Sequence, residues 1–188
     1  MRIRFDRGAG GSPAWFARPE RLIVAAGPGE VDAALAALDA ARAAGKWLAG
    51  YASYELGYAV EPALTGLMLE ERRMPLLCFG VYDDPDTAPP LADGPARIGP
   101  LRPRWDAGRY AAAFRQVHDW IGSGDIYQAN LTFPIDVELE GESEALYAAL
   151  VARQAVGHGA LVLQDGLPDL LSRSPELFFR VDPAQVVA

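Results

Sequence analysis

An alternation of apolar and polar side chains over residues 127–139 constrains the fold more than any other feature of the sequence. The odd positions are all apolar or small: Tyr127, Ala129, Leu131, Phe133, Ile135, Val137 and Leu139. Because successive side chains of a strand point to opposite faces, this pattern predicts a strand with one face against a core. An amphipathic helix precedes the strand and ends at the Gly-Ser-Gly-Asp sequence of residues 122–125. The segment therefore predicts a helix, a glycine turn and a long strand in succession.

The polar positions of this strand change in character along its length. The first three are two amides and a hydroxyl, at Gln128, Asn130 and Thr132, whereas the even positions from 136 to 140 are acids. The acids are typical of a solvated surface. The uncharged groups lie close to the glycine turn and are candidates for contact with a ligand. An ordinary solvent-facing sheet surface explains the same pattern equally well.

Periodicity elsewhere predicts an alternation of helices and strands. Helices are predicted over 30–44, from Asp106 to about residue 122, and over 143–156, with Asp106 as an N-cap and Gly45 at a helix C-terminus. Further strands are predicted at 2–6, 21–26, 47–54, 75–82, 160–164, 169–172 and 177–182. Since the strands are joined by hairpins as often as by helices, the order favours a mixed α/β or an α+β architecture.

Composition excludes several classes of function. A net charge of -8 disfavours nucleic acid and anionic membranes as main partners. One cysteine and two separated histidines provide neither an intrachain disulfide nor a clustered metal site. The sequence has no apolar run near the roughly 20 residues of a membrane span, and its first residues do not resemble a signal peptide. We therefore expect a cytoplasmic protein.

The single-sequence signatures of common active sites are missing. There is no phosphate loop, dinucleotide-binding glycine pattern, nucleophile elbow or metal-ligand spacing. Cys78 lies in an apolar run and is interpreted as a core residue, and His118 as a packing or surface residue. Four acids lie in settings that could suggest a site: Glu55, Glu61, Asp125 and Glu176. A structural or solvated role explains each of them better than catalysis. The residues by themselves predict a soluble domain with a polar pocket.

Three segments resemble the chorismate-utilising enzymes. Residues 124–132 match the family motif Gly-Asp-Ile-Tyr-Gln-Val-Asn-Leu-Thr except for Ala129 in place of valine. Residues 51–57 are similar to a Tyr-Glu-Gly segment of the family, and residues 172–179 to its Ser-Pro-Glu turn. The resemblance implies an α+β fold of mostly antiparallel sheets flanked by helices, as a truncated part of the two-sheet chorismate-binding fold. It divides the chain into an N-terminal subdomain (1–83), a proline-rich linker (84–104) and the start of the chorismate-binding domain (105–188).

Within the family, the resemblance is strongest to the aminodeoxychorismate synthases. These enzymes aminate chorismate to 4-amino-4-deoxychorismate, for p-aminobenzoate and folate, with ammonia from a glutamine amidotransferase subunit or domain. Related isochorismate and salicylate synthases have a lysine at the position of Gln128, where it activates water. The neutral amide of Gln128 therefore indicates amination. Two alternatives stay open, namely component I of anthranilate synthase and a non-catalytic binding or assembly module.

The resemblance also implies where site residues lie. Substrate-pocket candidates are Gln128, Asn130, Thr132 and Glu176. The family's catalytic lysine and its Mg²⁺-binding glutamates are expected beyond residue 188. No catalytic or metal-binding residue is therefore assigned to this chain, which is expected to be an inactive N-terminal fragment. Some members bind tryptophan near the first strand, and the corresponding effector candidates are Asp6, Tyr54 and His158, although several of the usual residues are replaced here.

Overall fold

The computed structural model of the chain describes residues 1–8, 10–92, 94–182 and 185–187. The strands are β1 (Arg2–Phe5), β2 (Ala14–Phe16), β3 (Arg21–Ala25), β4 (Trp47–Ala52), β5 (Leu77–Tyr82), β6 (Asp86–Thr87), β7 (Ala96–Ile98), β8 (Arg102–Pro103), β9 (Ile135–Asp136), β10 (Leu139–Gly141), β11 (His158–Leu163), β12 (Leu170–Ser174), β13 (Arg180–Asp182) and β14 (Gln185–Val187). The helices are α1 (Val31–Ala43), α2 (Leu56–Val60), α3 (Ala107–Ser123) and α4 (Ser143–Arg153), with 3-10 turns at Pro28–Glu30 and Pro62–Leu67.

The chain forms two compact units. The first comprises Met1–Asp93 and Ser143–Ala188, and the second comprises Gly94–Glu142. Every strand pair in the described part of the chain is antiparallel. Helices and antiparallel sheets together confirm the predicted α+β class.

Two sheets form the body of the first unit. The larger has the strand order β12-β11-β1-β2-β6, and the smaller has the order β3-β5-β4. In the larger sheet, Ile3 lies opposite Val162 on one side and Phe16 on the other. A two-stranded ribbon of β13 and β14 completes the unit. The first strand of the chain thus occupies the middle of the larger sheet.

Apolar burial explains why these elements pack in the first unit. Helix α1 buries Val31, Ala34 and Ala41, which share one face, against the smaller sheet. Gly45 has φ of 78° just after the helix, as predicted for its C-terminal position. Strand β5 is the middle of that sheet and is almost wholly buried, including Cys78. The prediction that Cys78 is a core residue is therefore confirmed.

The second unit is built around α3 and two short ribbons, β7 with β10 and β8 with β9. Asp106 caps α3, because its carboxylate accepts a 2.7 Å hydrogen bond from the backbone N–H of Arg109. Trp105 and Phe133 stack with ring centroids 5.6 Å apart. None of the described residues of this unit is buried. The apolar stripe of α3, which includes Tyr110, Phe114 and Ile121, stays open to solvent, and Phe114 is 53% exposed.

The prediction of one strand over residues 127–139 is wrong. Only Ile135–Asp136 and Leu139–Gly141 pair, with β8 and β7 respectively. Residues 127–134 have no ladder partner in the described chain, and Tyr127 is 87% exposed. Alternation determines which side chains share a face of an extended segment, but a strand also needs a neighbour to receive its backbone hydrogen bonds. The strand predicted at 177–182 is likewise shorter, since β13 begins at Arg180.

The segment 84–104, predicted as a linker, carries three short strands, β6, β7 and β8. The first of them pairs within the first unit and the other two within the second. Domain boundaries at residues 83 and 104 stay predictions.

Candidate functional site

The Gly-Ser-Gly-Asp sequence ends helix α3 through a set of local hydrogen bonds. Gly124 adopts a left-handed conformation (φ 86°), which an amino acid with a Cβ rarely takes. The N–H of Asp125 donates to the carbonyl of Trp120 at 2.9 Å, and the hydroxyl of Ser123 donates to the Asp125 carboxylate at 2.6 Å. Asp125 therefore has a structural role in this turn.

A groove runs beside α3 where the chain leaves this turn. Its cavity of about 470 Å³ is lined from the helix by Tyr110, Phe114, Val117, His118 and Ile121, and from the following segment by Ala129, Asn130, Leu131 and Thr132. We call it the helix groove. The consecutive residues 129–132 all line it. Mixed apolar and amide or hydroxyl groups suit a small ligand that is partly apolar and partly polar.

The structure brings together two of the four predicted substrate-pocket residues. Asn130 and Thr132 both line the helix groove, whereas Gln128 is exposed and does not. Glu176 belongs to the first unit, where it is exposed in the turn after β12. The hydroxyl of Ser174 accepts a 3.2 Å hydrogen bond from the Glu176 N–H and donates to its carbonyl. The substrate contacts of all four residues stay predictions.

Sequence reasoning missed a charged network around Asp6. The Asp6 carboxylate accepts hydrogen bonds from Tyr147 (2.8 Å), Arg173 (2.8 Å) and Arg4 (3.1 Å). Arg173 also lies over the Tyr147 ring, 5.3 Å from its centroid, and donates to the carbonyl of Gln154. Three donors satisfy the carboxylate, so it needs no ligand to balance its charge. Asp6 itself was singled out from the sequence, but nothing local to residues 147 or 173 indicated the contact.

Burial perturbs the acid–base behaviour of this network. Tyr147 is fully buried, and this burial, followed by its hydrogen bond to Asp6, raises the pKa of Tyr147 to about 12. Burial likewise raises the pKa values of Tyr51 and Tyr82 to about 12. These phenols are therefore neutral near pH 7 and act as hydrogen-bond donors or packing groups, not as bases.

A second cleft lies beside the turn between β1 and β2, wholly within the first unit. We call it the turn cleft; it encloses about 260 Å³ and is lined by Arg7, Gly8, Gly11, His158, Leu177, Phe179 and Arg180. Of the three predicted effector residues, only His158 lines it. Asp6 faces the network above, and Tyr54 is 84% exposed in a ring pair with Tyr58. The structure does not bring the three residues together in one pocket, and their effector role stays a prediction.

No magnesium site can be assigned to the described residues. They contain no group of three or more His, Cys, Asp or Glu side chains placed to hold a metal ion. The acids of the second unit are exposed instead, and some of them pair with arginine, as Asp136 does with Arg104 at 2.7 Å. Magnesium prefers near-octahedral oxygen coordination, which this part of the chain does not provide.

Among the same described residues, no helix combines the length and the apolar character that crossing a membrane requires.

Comparison with known proteins identifies relatives. The sequence pattern of a family described as chorismate binding enzyme matches residues 84–188. Component 1 of aminodeoxychorismate synthase from Salmonella typhimurium (strain LT2) is 36% identical over 78 residues. That alignment covers 41% of this chain and 17% of the relative, so the chain matches only a small part of the relative's length. No solved structure shows significant similarity to the chain.

Proposed function

Because the chain belongs to the family of chorismate binding enzymes, we propose that it is part of component I of an aminodeoxychorismate synthase. In this proposal the complete enzyme aminates chorismate with ammonia to give 4-amino-4-deoxychorismate, a precursor of p-aminobenzoate and folate. The observation that carries the proposal is the 36% identity to a component 1 of that name. The motif at residues 124–132, which ends a helix and leads to the helix groove, supports it.

The side chain of Gln128 supports amination over water addition. Its amide cannot accept a proton at neutral pH, so it cannot convert water into a nucleophile. Ammonia is nucleophilic without such a base and needs only to be positioned. A relative that adds water to chorismate requires a basic group at this position, and the chain does not have one. Amination is therefore the reaction that this residue favours.

The proposal includes a partner and a metal. A glutamine amidotransferase subunit or domain would release the ammonia from glutamine, because component I does not catalyse that step in this proposal. Magnesium would be held by groups other than the described residues of this chain, which form no metal cluster. When bound, it would neutralise the negative charge of the chorismate carboxylates. The enzyme would work in the cytoplasm, where chorismate is available.

Growth complementation tests the proposal. The complete enzyme of which this chain is proposed to be a part would be expressed in one bacterial strain that lacks aminodeoxychorismate synthase component I and in another that lacks anthranilate synthase component I. We expect growth without p-aminobenzoate to be restored in the first strain, and the second strain to remain dependent on tryptophan. The opposite pattern would support anthranilate synthase, and rescue of neither strain would support a non-catalytic module.

A further inference from the structure

Residues 54–71, which we call the outer segment, contain helix α2 and the 3-10 turn Pro62–Leu67. The segment is anchored to the core between helix α1 and the smaller sheet by three apolar side chains, Leu56, Ala59 and Met68. Directly after it, the guanidinium of Arg72 donates hydrogen bonds to the carbonyls of Leu69 (2.8 Å) and Ala26 (2.9 Å). The first unit therefore holds the segment in place without a partner.

Several other apolar side chains of the outer segment are exposed. Leu64 and Leu67 are three positions apart in the 3-10 turn and, at three residues per turn, lie on one face of it. Val60, Leu67 and Leu69 are each more than half exposed, and so is Tyr54. These groups contribute little to the packing of the first unit. Exposed apolar surface with polar residues around it is typical of an interaction site.

The same part of the chain is acidic. Between Lys46 and Arg72 the sequence has four glutamates and no basic residue, so this stretch carries -4 of the net charge of -8. The glutamates are Glu55, Glu61, Glu70 and Glu71. None of the four forms an ion pair within the described part of the chain. The exposed apolar groups thus lie among uncompensated negative charges.

This negative charge decides which kind of partner suits the outer segment. A second copy of the chain would bring like charges together, and nucleic acid or an anionic membrane would also be repelled. A protein surface with an apolar centre and arginine or lysine side chains around it is complementary in both respects. The segment therefore favours a protein partner with a basic docking face.

We propose that the outer segment binds the glutamine amidotransferase subunit or domain, an inference that rests on the proposed function. Ammonia released into water at neutral pH takes up a proton, and the resulting ammonium ion has no lone pair with which to attack. The amidotransferase must therefore be bound to component I when it releases ammonia. None of the residues of the segment is among those proposed to contact chorismate, so docking and catalysis can be tested separately.

The complete enzyme of which this chain is proposed to be a part can be assayed with either nitrogen source. Amination is measured with ammonium salt at alkaline pH, and with glutamine plus the purified amidotransferase subunit of the same organism. Leu67→Glu places a charge among the apolar groups, and should weaken amidotransferase binding at least about tenfold by isothermal titration calorimetry. Glutamine-dependent amination at limiting amidotransferase should fall with it, whereas ammonia-dependent amination should be unchanged.

A second variant tests the charge of the surface. Glu71→Lys should weaken amidotransferase binding about fivefold or more at low salt, and less at high salt. Leu35→Glu and Asp39→Lys are the matched controls, because both residues are exposed on helix α1, outside the outer segment. Both controls should bind the amidotransferase as the wild-type enzyme does.

The outcomes separate the docking surface from the proposed function. Wild-type affinity and glutamine-dependent amination in Leu67→Glu and Glu71→Lys would overturn the docking surface alone. Equal losses with ammonia and with glutamine in both variants would overturn it as well. A wild-type enzyme that aminates chorismate with neither nitrogen source would instead overturn the proposed function, and the docking surface with it.

Discussion

The phenol of Tyr147 donates a 2.8 Å hydrogen bond to the carboxylate of Asp6, across 141 residues of sequence. The contact joins helix α4 to the end of β1, and Arg173 adds β12 through its own bond to the same oxygen. One carboxylate thus connects three elements of the first unit. Since Tyr147 is wholly buried, the strength of this connection should appear in the stability of the chain.

We expect Tyr147→Phe to lower the free energy of unfolding by about 1–2 kcal/mol at pH 7, because it removes one donor and leaves the ring in place. Urea unfolding followed by circular dichroism measures the change. Tyr54→Phe is the control and should change stability little, because Tyr54 is 84% exposed. Equal effects of the two substitutions would mean that the hydrogen bond to Asp6 contributes nothing.

The stability of the first unit should fall at alkaline pH. Folding raises the pKa values of Tyr51, Tyr82 and Tyr147 from 10.0 to about 12. Between pH 10 and pH 12 the unfolded chain loses protons that the folded chain keeps. The contribution of these tyrosines to the free energy of unfolding is therefore fully present below pH 10 and declines towards pH 12. Urea midpoints at stepped pH values test this, with tyrosinate absorbance as a second readout. Tyr147→Phe should make the decline shallower, and an unchanged decline would exclude Tyr147 as a contributor.

Gly159→Ala and Gly122→Ala should have opposite effects on stability. A Cβ at Gly159 would overlap the Asp6 carboxylate, the Tyr147 hydroxyl and the Arg173 guanidinium, whereas a Cβ at Gly122 meets no atom within 4 Å. We expect a loss of about 2–4 kcal/mol for Gly159→Ala. In helix α3, Gly122→Ala should instead gain up to about 1 kcal/mol. Thermal unfolding of both variants measures the two changes in stability. If Gly159→Ala leaves the stability unchanged, the side chains of Asp6, Tyr147 and Arg173 can move aside.

The open apolar stripe of α3 should make the chain self-associate. Phe114, Trp120 and Ile121 are 53%, 46% and 43% exposed, and no residue of this helix is buried. Apolar patches of this kind promote association. Sedimentation velocity should show oligomers that Phe114→Glu shifts towards monomer. Leu35→Glu on helix α1, which has a separate buried face, should not do so. A monodisperse monomer with the native sequence would contradict the prediction.

Gln128→Lys tests the proposed function in the complete enzyme. We expect less amination and a small amount of the water-addition product, since a lysine with a lowered pKa can act as a base. Chromatography of the products measures both. Glu138→Gln is the control, because Glu138 is exposed and paired with Arg102 at 2.5 Å. Unchanged amination in Gln128→Lys would remove Gln128 from the substrate pocket.

Local features of this fold could be predicted, whereas its long-range contacts could not. Asp106 as a helix cap and Gly45 after helix α1 follow from chemistry within a few residues, and both predictions are confirmed. Strands of two or three residues, such as β2, are too short to show a periodicity. The prediction of a strand at 127–139 is wrong because the alternation contains no information about which segment would pair with it.

The candidate sites likewise combine local features that could be predicted with long-range contacts that could not. The motif at 124–132 is continuous in sequence, and its position at the end of α3 was predicted correctly. The turn cleft is assembled from residues near positions 7, 158 and 179, and the Asp6 network from residues up to 167 positions apart. No pattern in one sequence links such distant positions.

The central place of β1 in the larger sheet has a consequence for biosynthesis. Its neighbour β2 emerges from the ribosome soon after it, but its other neighbour, β11, begins only at residue 158. At about 5–20 residues per second, the nascent chain carries one unpaired edge of β1 for roughly 8–30 s. An unpaired edge readily joins a strand of another chain. The first strand to be made is therefore among the last to be completed, and a chaperone that shields it during translation would act on the amino-terminal residues.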